Sequence, residues 1–173
     1  MNKYQTPKDV AEYMVSLLPN DIRYVLEPTP GKGNLVKALQ AKNIKVKAPI
    51  DYFLLDKHER FPAIVMNPPF SSKSLNITNA PKEYIDSGMK CGYNMLFECM
   101  GMTNHVIALM PWYTISDSDV RMRHIMAYGL KSLTVLPRKT FNYARIQTCI
   151  IQLDRGFKGD TRFTSYEFLK LNK

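Results

Sequence analysis

Apolar and polar positions along this chain recur with two periods, and the switches between them mark its elements. From Thr6 to Pro19, Val10, Tyr13, Met14, Leu17 and Leu18 fall at helical spacing, with Thr6 placed as N-cap and Pro7 at the first helical position. Tyr24 to Leu26 is a short β-prone run ending at Glu27. Pro28-Thr-Pro-Gly-Lys-Gly-Asn34 interrupts it, and Leu35, Val36 and Leu39 resume helical spacing. That unit is a strand, a Gly-rich turn and a helix. Ile44 to Val46 and Ile50 to Leu55 read as two more strands, separated only by Lys47, Ala48 and Pro49, which leave no room for a helix. Ala63 to Met66 is an apolar run stopped by Asn67-Pro68-Pro69-Phe70, where two prolines end any ladder and set a stiff, extended loop.

Ser71 to Thr78 is polar and irregular, whereas Pro81 to Cys91 and Tyr93 to Met102 have helical character. His105 to Met110 is continuously apolar, as a buried parallel strand is, and Pro111-Trp-Tyr113 follows it. Ser116 is placed as the cap of a helix to Tyr128, with Val120, Ile125 and Met126 inward and Arg121, Arg123 and His124 outward. Ser132 to Leu136 and Gln147 to Leu153 are two last strands, joined by the basic turn Pro137 to Arg145. Strands alternating with helices predict an α/β layer structure with a mainly parallel sheet, which takes ligands at the carboxyl ends of its strands.

Length and composition narrow the class. A chain of 173 residues with 45% hydrophobic content suits one domain over residues 1–173 with a sizeable core, and excludes a disordered polymer. No apolar run approaches the length of a membrane span, and the N-terminus has no apolar signal segment, so a cytoplasmic location is expected. Cys91, Cys99 and Cys149 are an odd, scattered set among apolar neighbours and read as reduced core residues. Neither they nor His58, His105 and His124 have metal-ligand spacing, so no metal is expected. The net charge of +9 points to a polyanionic partner. It is concentrated in two stretches, Gly31 to Ala48 with five lysines and no acid, and Gly129 to Lys173 with nine basic residues against three acids.

Two loops then carry candidate chemistry. In the first, Gly31 and Gly33 let the backbone turn tightly beside a ligand, and Glu27 offers a carboxylate to a cationic amine. The glycines are not a P-loop, since no Gly-Lys-Ser/Thr follows, and a nicotinamide fingerprint lacks its third glycine at Val36. In the second, the Asn67 amide oxygen and the Pro68 carbonyl are two acceptors held rigid by proline, and Phe70 is a flat apolar surface. Chemistry on a planar ring amine needs that set.

With these motifs in this order, the sequence resembles the S-adenosylmethionine-dependent amino-methyltransferases, and within them the DNA adenine methyltransferases of restriction-modification systems. The resemblance covers nearly the whole chain. Tyr4-Gln-Thr-Pro7 is similar to the family's segment before the cofactor loop, where Thr6 would help hold the methionine end. Val25-Leu-Glu-Pro-Thr-Pro-Gly-Lys-Gly-Asn-Leu35 is similar to the cofactor loop, with Glu27 facing the methionine amine and Pro28, Gly31 and Gly33 under the cofactor. Ile50-Asp-Tyr-Phe-Leu54 resembles the next cofactor motif, where Asp51 would contact the adenine amine and Tyr52 or Phe53 would pack beside it. Phe61 to Phe70 resembles the catalytic motif, and Phe141 to Leu153 the closing hairpin. The resemblance implies a Rossmann-like class I methyltransferase fold, a mainly parallel sheet closed by an antiparallel hairpin with helices on both faces. It implies S-adenosyl-L-methionine as cofactor and the exocyclic amine of adenine in DNA as target, held by Asn67 and Pro68 beside Pro69, with the base stacked on Phe70.

The sequence also departs from the family. An acid after the second strand normally holds the cofactor ribose, and a helix follows it. Here Ile44-Lys-Val-Lys47 runs almost directly into Pro49-Ile-Asp51, and weak cofactor affinity is the expectation. No separate target-recognition domain is expected after Leu153, so DNA contact is expected from Lys73, Arg138, Lys139 and Arg145, with Trp112, Tyr113 and Tyr143 as candidate stacking residues, or from a partner protein that supplies recognition. Alternatives with the same loop are RNA adenine or protein glutamine methylation. An alternative of another class is a non-catalytic subunit that binds nucleic acid or protein.

Overall fold

The computed structural model describes residues 5–74, 79–141 and 146–165; Tyr4, the 75–78 part of the polar loop, Tyr143 and Arg145 lie outside the described residues. In chain order the elements are α1 (Lys8–Ser16), β1 (Tyr24–Leu26), α2 (Asn34–Gln40), β2 (Lys45–Lys47), β3 (Ala63–Met66), α3 (Lys82–Ile85), α4 (Cys91–Met102), β4 (His105–Pro111), α5 (Tyr113–Ser116), α6 (Asp119–Tyr128), β5 (Leu130–Val135), β6 (Thr148–Asp154) and β7 (Arg162–Ser165). Short 3-10 turns occupy Tyr52–Leu54, Ser72–Ser74 and Gly88–Lys90.

The strands form one seven-stranded sheet in the order β2-β1-β3-β4-β6-β5-β7. β6 is antiparallel to both neighbours, and the other pairings are parallel. Strand alternation divides the core into two layers. Val25, Ala63, Val65, Ile107, Leu109 and Ile150 pack with Val10, Met14, Leu35 and Leu39 of α1 and α2. Leu26, Ile64, Met66, Val106, Ala108, Met110 and Ile151 pack with Met95, Leu96 and Cys99 of α4 and Ile125 of α6. Cys91, Cys99 and Cys149 are buried free thiols, and burial pushes them up to about 11, 12 and 12. No helix of the described residues is long and apolar enough to cross a membrane.

From β1 the chain crosses through α2 to β2 on one side, then returns to β3 on the other. The resulting reversal leaves a crevice at the carboxyl ends of β1 and β3, between Glu27 and Asn67.

Several local expectations are corrected. Pro7, not Thr6, is the N-cap of α1, and it makes no side-chain cap. Residues 50–55 form no strand: Asp51 Oδ1 accepts from Phe53 N at 2.8 Å and turns the chain, and Ile50 and Leu54 point to solvent at 107% and 74% exposure. The 81–91 helix is broken after α3, where the Ser87 hydroxyl donates to the Tyr84 carbonyl at 2.6 Å and competes with the helical ladder. Ser118, not Ser116, caps α6, accepting from Arg121 N at 3.3 Å. Val120 and Met126 are exposed because neither shares the stripe of Ile125 and Tyr128; at about 100° per residue they lie well round the helix from Ile125. β7 was not expected. Its residues are mostly exposed, so no apolar alternation marks it, and pairing with β5 creates it.

At the far end of the sheet from the crevice, Asp154 accepts from Lys131 Nζ at 2.7 Å and lies 2.9 Å from His105 Nδ1. Burial alone would raise its carboxyl, but these two partners outweigh burial and hold it below the ordinary carboxylate range. A depressed folded value means that its stabilisation is present above the unfolded value of about 4 and is lost as pH falls through the folded one. Asp154→Asn is therefore expected to lower unfolding stability by about 1 kcal/mol near pH 7. Urea titrations should show the gap from the native protein narrowing as pH falls below the unfolded value of about 4.

Candidate cofactor and catalytic site

Glu27 follows β1 directly and is 1% exposed. Burial pushes its carboxyl up to about 8, against the smaller lowering effect of Thr29. Thr29 N donates to Oε1 at 2.9 Å, with the Thr29 hydroxyl at 3.5 Å. The chain then turns through Gly31 and Gly33, at φ +52° and +80°, where an L side chain would be strained, and enters α2. Pro28 is buried in this turn, and Lys32 is exposed. Residues 5 and 6 lie across the turn. Gln5 Oε1 accepts from Lys32 N at 2.9 Å, and the Thr6 carbonyl accepts from Asn34 Nδ2 at 2.8 Å.

The Asn67 loop follows β3 and meets the same segment. Asn67 Nδ2 lies 3.0 Å from Thr6 Oγ1, and the Asn67 carbonyl accepts from the Thr29 hydroxyl at 3.3 Å. Thr6, 3% exposed, thus joins the two loops by its backbone to one and its hydroxyl to the other. Committing Nδ2 to Thr6 fixes the amide orientation and makes Oδ1 its acceptor. Beneath the loop, α4 comes so close that a Cβ on Gly92 would lie 2.9 Å from the Pro69 carbonyl oxygen and 3.6 Å from Pro68 Cγ. Tyr113 donates to the Phe70 carbonyl at 3.0 Å. Gly92→Ala would ordinarily strengthen a helix by up to about 1 kcal/mol, but overpacking against a backbone oxygen costs about 1–3. Net destabilisation is expected in thermal unfolding, and an unchanged or raised Tm would contradict the close approach.

Phe70 does not present an open face. Its ring is 6% exposed and packs edge-on against Phe141, with centroids 6.2 Å apart and planes at 86°. Lys73 is exposed in the turn after Phe70, and Arg138 and Lys139 are exposed in the turn before Phe141. The Phe70–Phe141 contact therefore brings these basic turns to one rim. Trp112 packs partly buried against the α4 layer of the core.

Asp51 is half-buried on the β2 side of the crevice, where Oδ2 accepts from Asn79 Nδ2 at 2.7 Å. The pair Tyr52 and Phe53 is separated by the fold. Tyr52, 1% exposed, belongs to the core, and its hydroxyl donates to Glu98 Oε2 at 2.7 Å, which removes it from any ligand surface. Phe53 is half-buried, edge-on to Tyr84 at 4.8 Å. Lys47 ends β2 and pairs with Glu59. Gln5, Gly92 and Glu98 were not expected at the site, and Tyr113, expected as a stacking residue, instead holds the Phe70 carbonyl. Only Gln5, adjacent to Thr6, had a local signal.

No protein-family model matches the chain, and no curated protein matches it in sequence. Solved structures do share its architecture. A protein from Listeria monocytogenes assigned as a class I S-adenosylmethionine-dependent methyltransferase is similar at TM-score 0.69 and 13% identity, over 99% of this chain and 68% of that one. The methyltransferase subunit of a type I restriction-modification system from Streptococcus thermophilus gives 0.71 and 15%, over 96% of this chain and 48% of that one. The M protein of the type I restriction enzyme EcoKI gives 0.65 and 12%, over 90% and 44%. These likenesses establish a Rossmann-like class I methyltransferase fold. The chain spans less than half the length of the two restriction-modification proteins.

Proposed function

We propose that this chain binds S-adenosylmethionine at the carboxyl end of β1 and methylates the exocyclic amine of adenine in DNA. The observation that carries the reading is that a fully buried carboxyl, Glu27, and the Asn67 loop share Thr29 at the crevice, its N–H donating to Glu27 and its hydroxyl to the Asn67 carbonyl. A buried carboxyl that is uncharged at neutral pH suits an incoming ammonium, whose charge restores its ionisation. Thr6, Pro28, Gly31 and Gly33 would line the methionine end, and Asp51 and Phe53 the adenine end. The cofactor supplies a methyl group on a positively charged sulfur.

The chain's own groups orient the target. Asn67 Oδ1 and the Pro68 carbonyl would accept the two N–H groups of the adenine amine and aim its nitrogen at the methyl carbon. The prolines and Gly92 keep these acceptors from moving. No strong base is required, because the proton leaves after transfer. An extruded adenine would stack on Phe70 once Phe141 gives way. Lys73, Arg138 and Lys139 would meet phosphates along the rim, and Arg145 is a further candidate for the same contact. The restriction-modification neighbours, of which this chain spans under half, support DNA as substrate and a partner protein as the source of target choice.

A non-catalytic nucleic-acid- or protein-binding subunit is the second reading, favoured by Lys47 at the end of β2, where an acid would hold the cofactor ribose. Incubation with methyl-labelled cofactor and separate DNA, RNA and protein acceptors decides between them. Label on adenine in DNA is the expected result. Label on RNA or protein moves the substrate, and saturable DNA binding without transfer selects the subunit. DNA affinity is expected to fall steeply with salt, at least tenfold between 50 and 200 mM for several phosphate contacts, as fluorescence anisotropy would read.

A further inference from the structure

Residues 48–62, which carry Asp51 from β2 to β3, join no strand of the sheet; their helical piece is the turn at Tyr52–Leu54, and their far end is tied by Phe61 N donating to the Met102 carbonyl at 3.0 Å. Backbone pairing does not set where Asp51 stands, so side chains must. The anchor is Glu98 on α4. Its Oε2 accepts from the Tyr52 hydroxyl at 2.7 Å, and its Oε1 accepts from the Tyr84 hydroxyl. Lys57 Nζ lies 3.4 Å from Oε2, donates to the Tyr52 carbonyl at 3.1 Å and sits 3.0 Å from the centre of the Tyr52 ring. Tyr84 in turn supports the ring of Phe53. One carboxylate thus ties the residue after Asp51 to the ring beneath Phe53, and it does so from the helix whose Gly92 carries the Asn67 loop.

Building on the cofactor reading above, we propose that Glu98 is a positioning residue for the adenine end of the site: through Tyr52 and Tyr84 it holds Asp51 and Phe53 where sheet pairing would otherwise hold them. It does not touch the cofactor. A side chain that accepts two phenols and pairs with one ammonium organises three partners at once, and a neutral amide cannot replace it, because it offers one acceptor oxygen and no charge.

The test is calorimetric binding to the full chain of two probes, S-adenosylhomocysteine and 5′-methylthioadenosine, the second of which lacks the amino-acid end. Glu98→Gln is expected to weaken both by the same factor, about tenfold, whereas Glu27→Gln weakens only the first. Because Glu98 acts partly through Asp51, the pair Glu98→Gln and Asp51→Asn should lose clearly less affinity than the two single losses combined. Tyr84→Phe, which removes one phenol and keeps the ring, should show a smaller loss in the same direction, and serves where Glu98→Gln lowers folding. Equal affinities in Glu98→Gln and the native chain, a loss confined to S-adenosylhomocysteine, or additive losses with Asp51→Asn would each overturn the positioning role while leaving the cofactor reading intact. Native protein that binds neither probe would overturn the cofactor reading itself, and this proposal with it.

Discussion

Asn67→Ala is expected to lower methyl transfer to adenine by at least about 10²–10³-fold while leaving S-adenosylhomocysteine binding within a few-fold of the native chain. Losing a positioned polar group costs that much when the reaction depends on holding a weak nucleophile in line. The amide nitrogen belongs to Thr6 and the amide oxygen to the proposed target, so alanine removes both a structural bond and the acceptor. The structural part is small: a lost neutral hydrogen bond at Thr6 costs about 1 kcal/mol in urea unfolding. Turnover near the native rate would sink the role of Asn67, whatever the stability change. A matching loss of cofactor affinity would move its role from target to cofactor.

Glu27→Gln should give the second large effect, and its sign depends on what is bound. Without ligand, burial pushes the folded carboxyl up from its ordinary value of 4.5 to about 8, so the folded chain holds the proton more tightly than the unfolded one. Stability of the native chain therefore falls as pH rises from about 4.5 through 8, by a few kcal/mol in total at ~1.4 kcal/mol per unit. Glutamine has no proton to lose, so the variant should unfold at higher urea than the native chain at pH 9 and at about the same urea at pH 4. With the cofactor present, the order reverses. An ammonium beside Glu27 favours the carboxylate, so binding near pH 7 should release up to about one proton, read as a dependence of calorimetric enthalpy on buffer ionisation. Glutamine should abolish that release and weaken S-adenosylhomocysteine about 10²–10³-fold, the cost of leaving one buried charge unpaired. Binding without proton release in the native chain would contradict Glu27 as the partner of the ammonium.

Six of the seven strands were legible, and four of them, Ala63–Met66, His105–Pro111 and Thr148–Asp154 in the centre of the sheet and Tyr24–Leu26 between two parallel neighbours, because burial on both faces writes itself as an apolar run. Residues 50–55 have the same β-prone composition and form no strand, since no neighbour pairs with them and Asp51 caps a turn instead. β7 is the converse case, a strand whose existence rests on the available edge of β5 rather than on its own residues. Phe70 and Tyr52 were readable as aromatic groups beside functional motifs. Which of them would face a ligand was not readable, because that depends on Phe141 and Glu98, distant in the chain.

The sequence by itself determined six of the strands, the helices α1, α2, α4 and α6, the two loops at strand ends and the groups they carry, because turn chemistry and apolar periodicity act over a few neighbouring residues. Tertiary structure decided what those groups can do. It buried Glu27 deeply enough to neutralise it, placed Thr6 between the two loops, set Gly92 under the prolines and hung the Asp51 segment from Glu98. Each of these effects comes from desolvation or contact between residues far apart in the chain. Their energies depend on distance in space, and no local pattern of residue types encodes that distance.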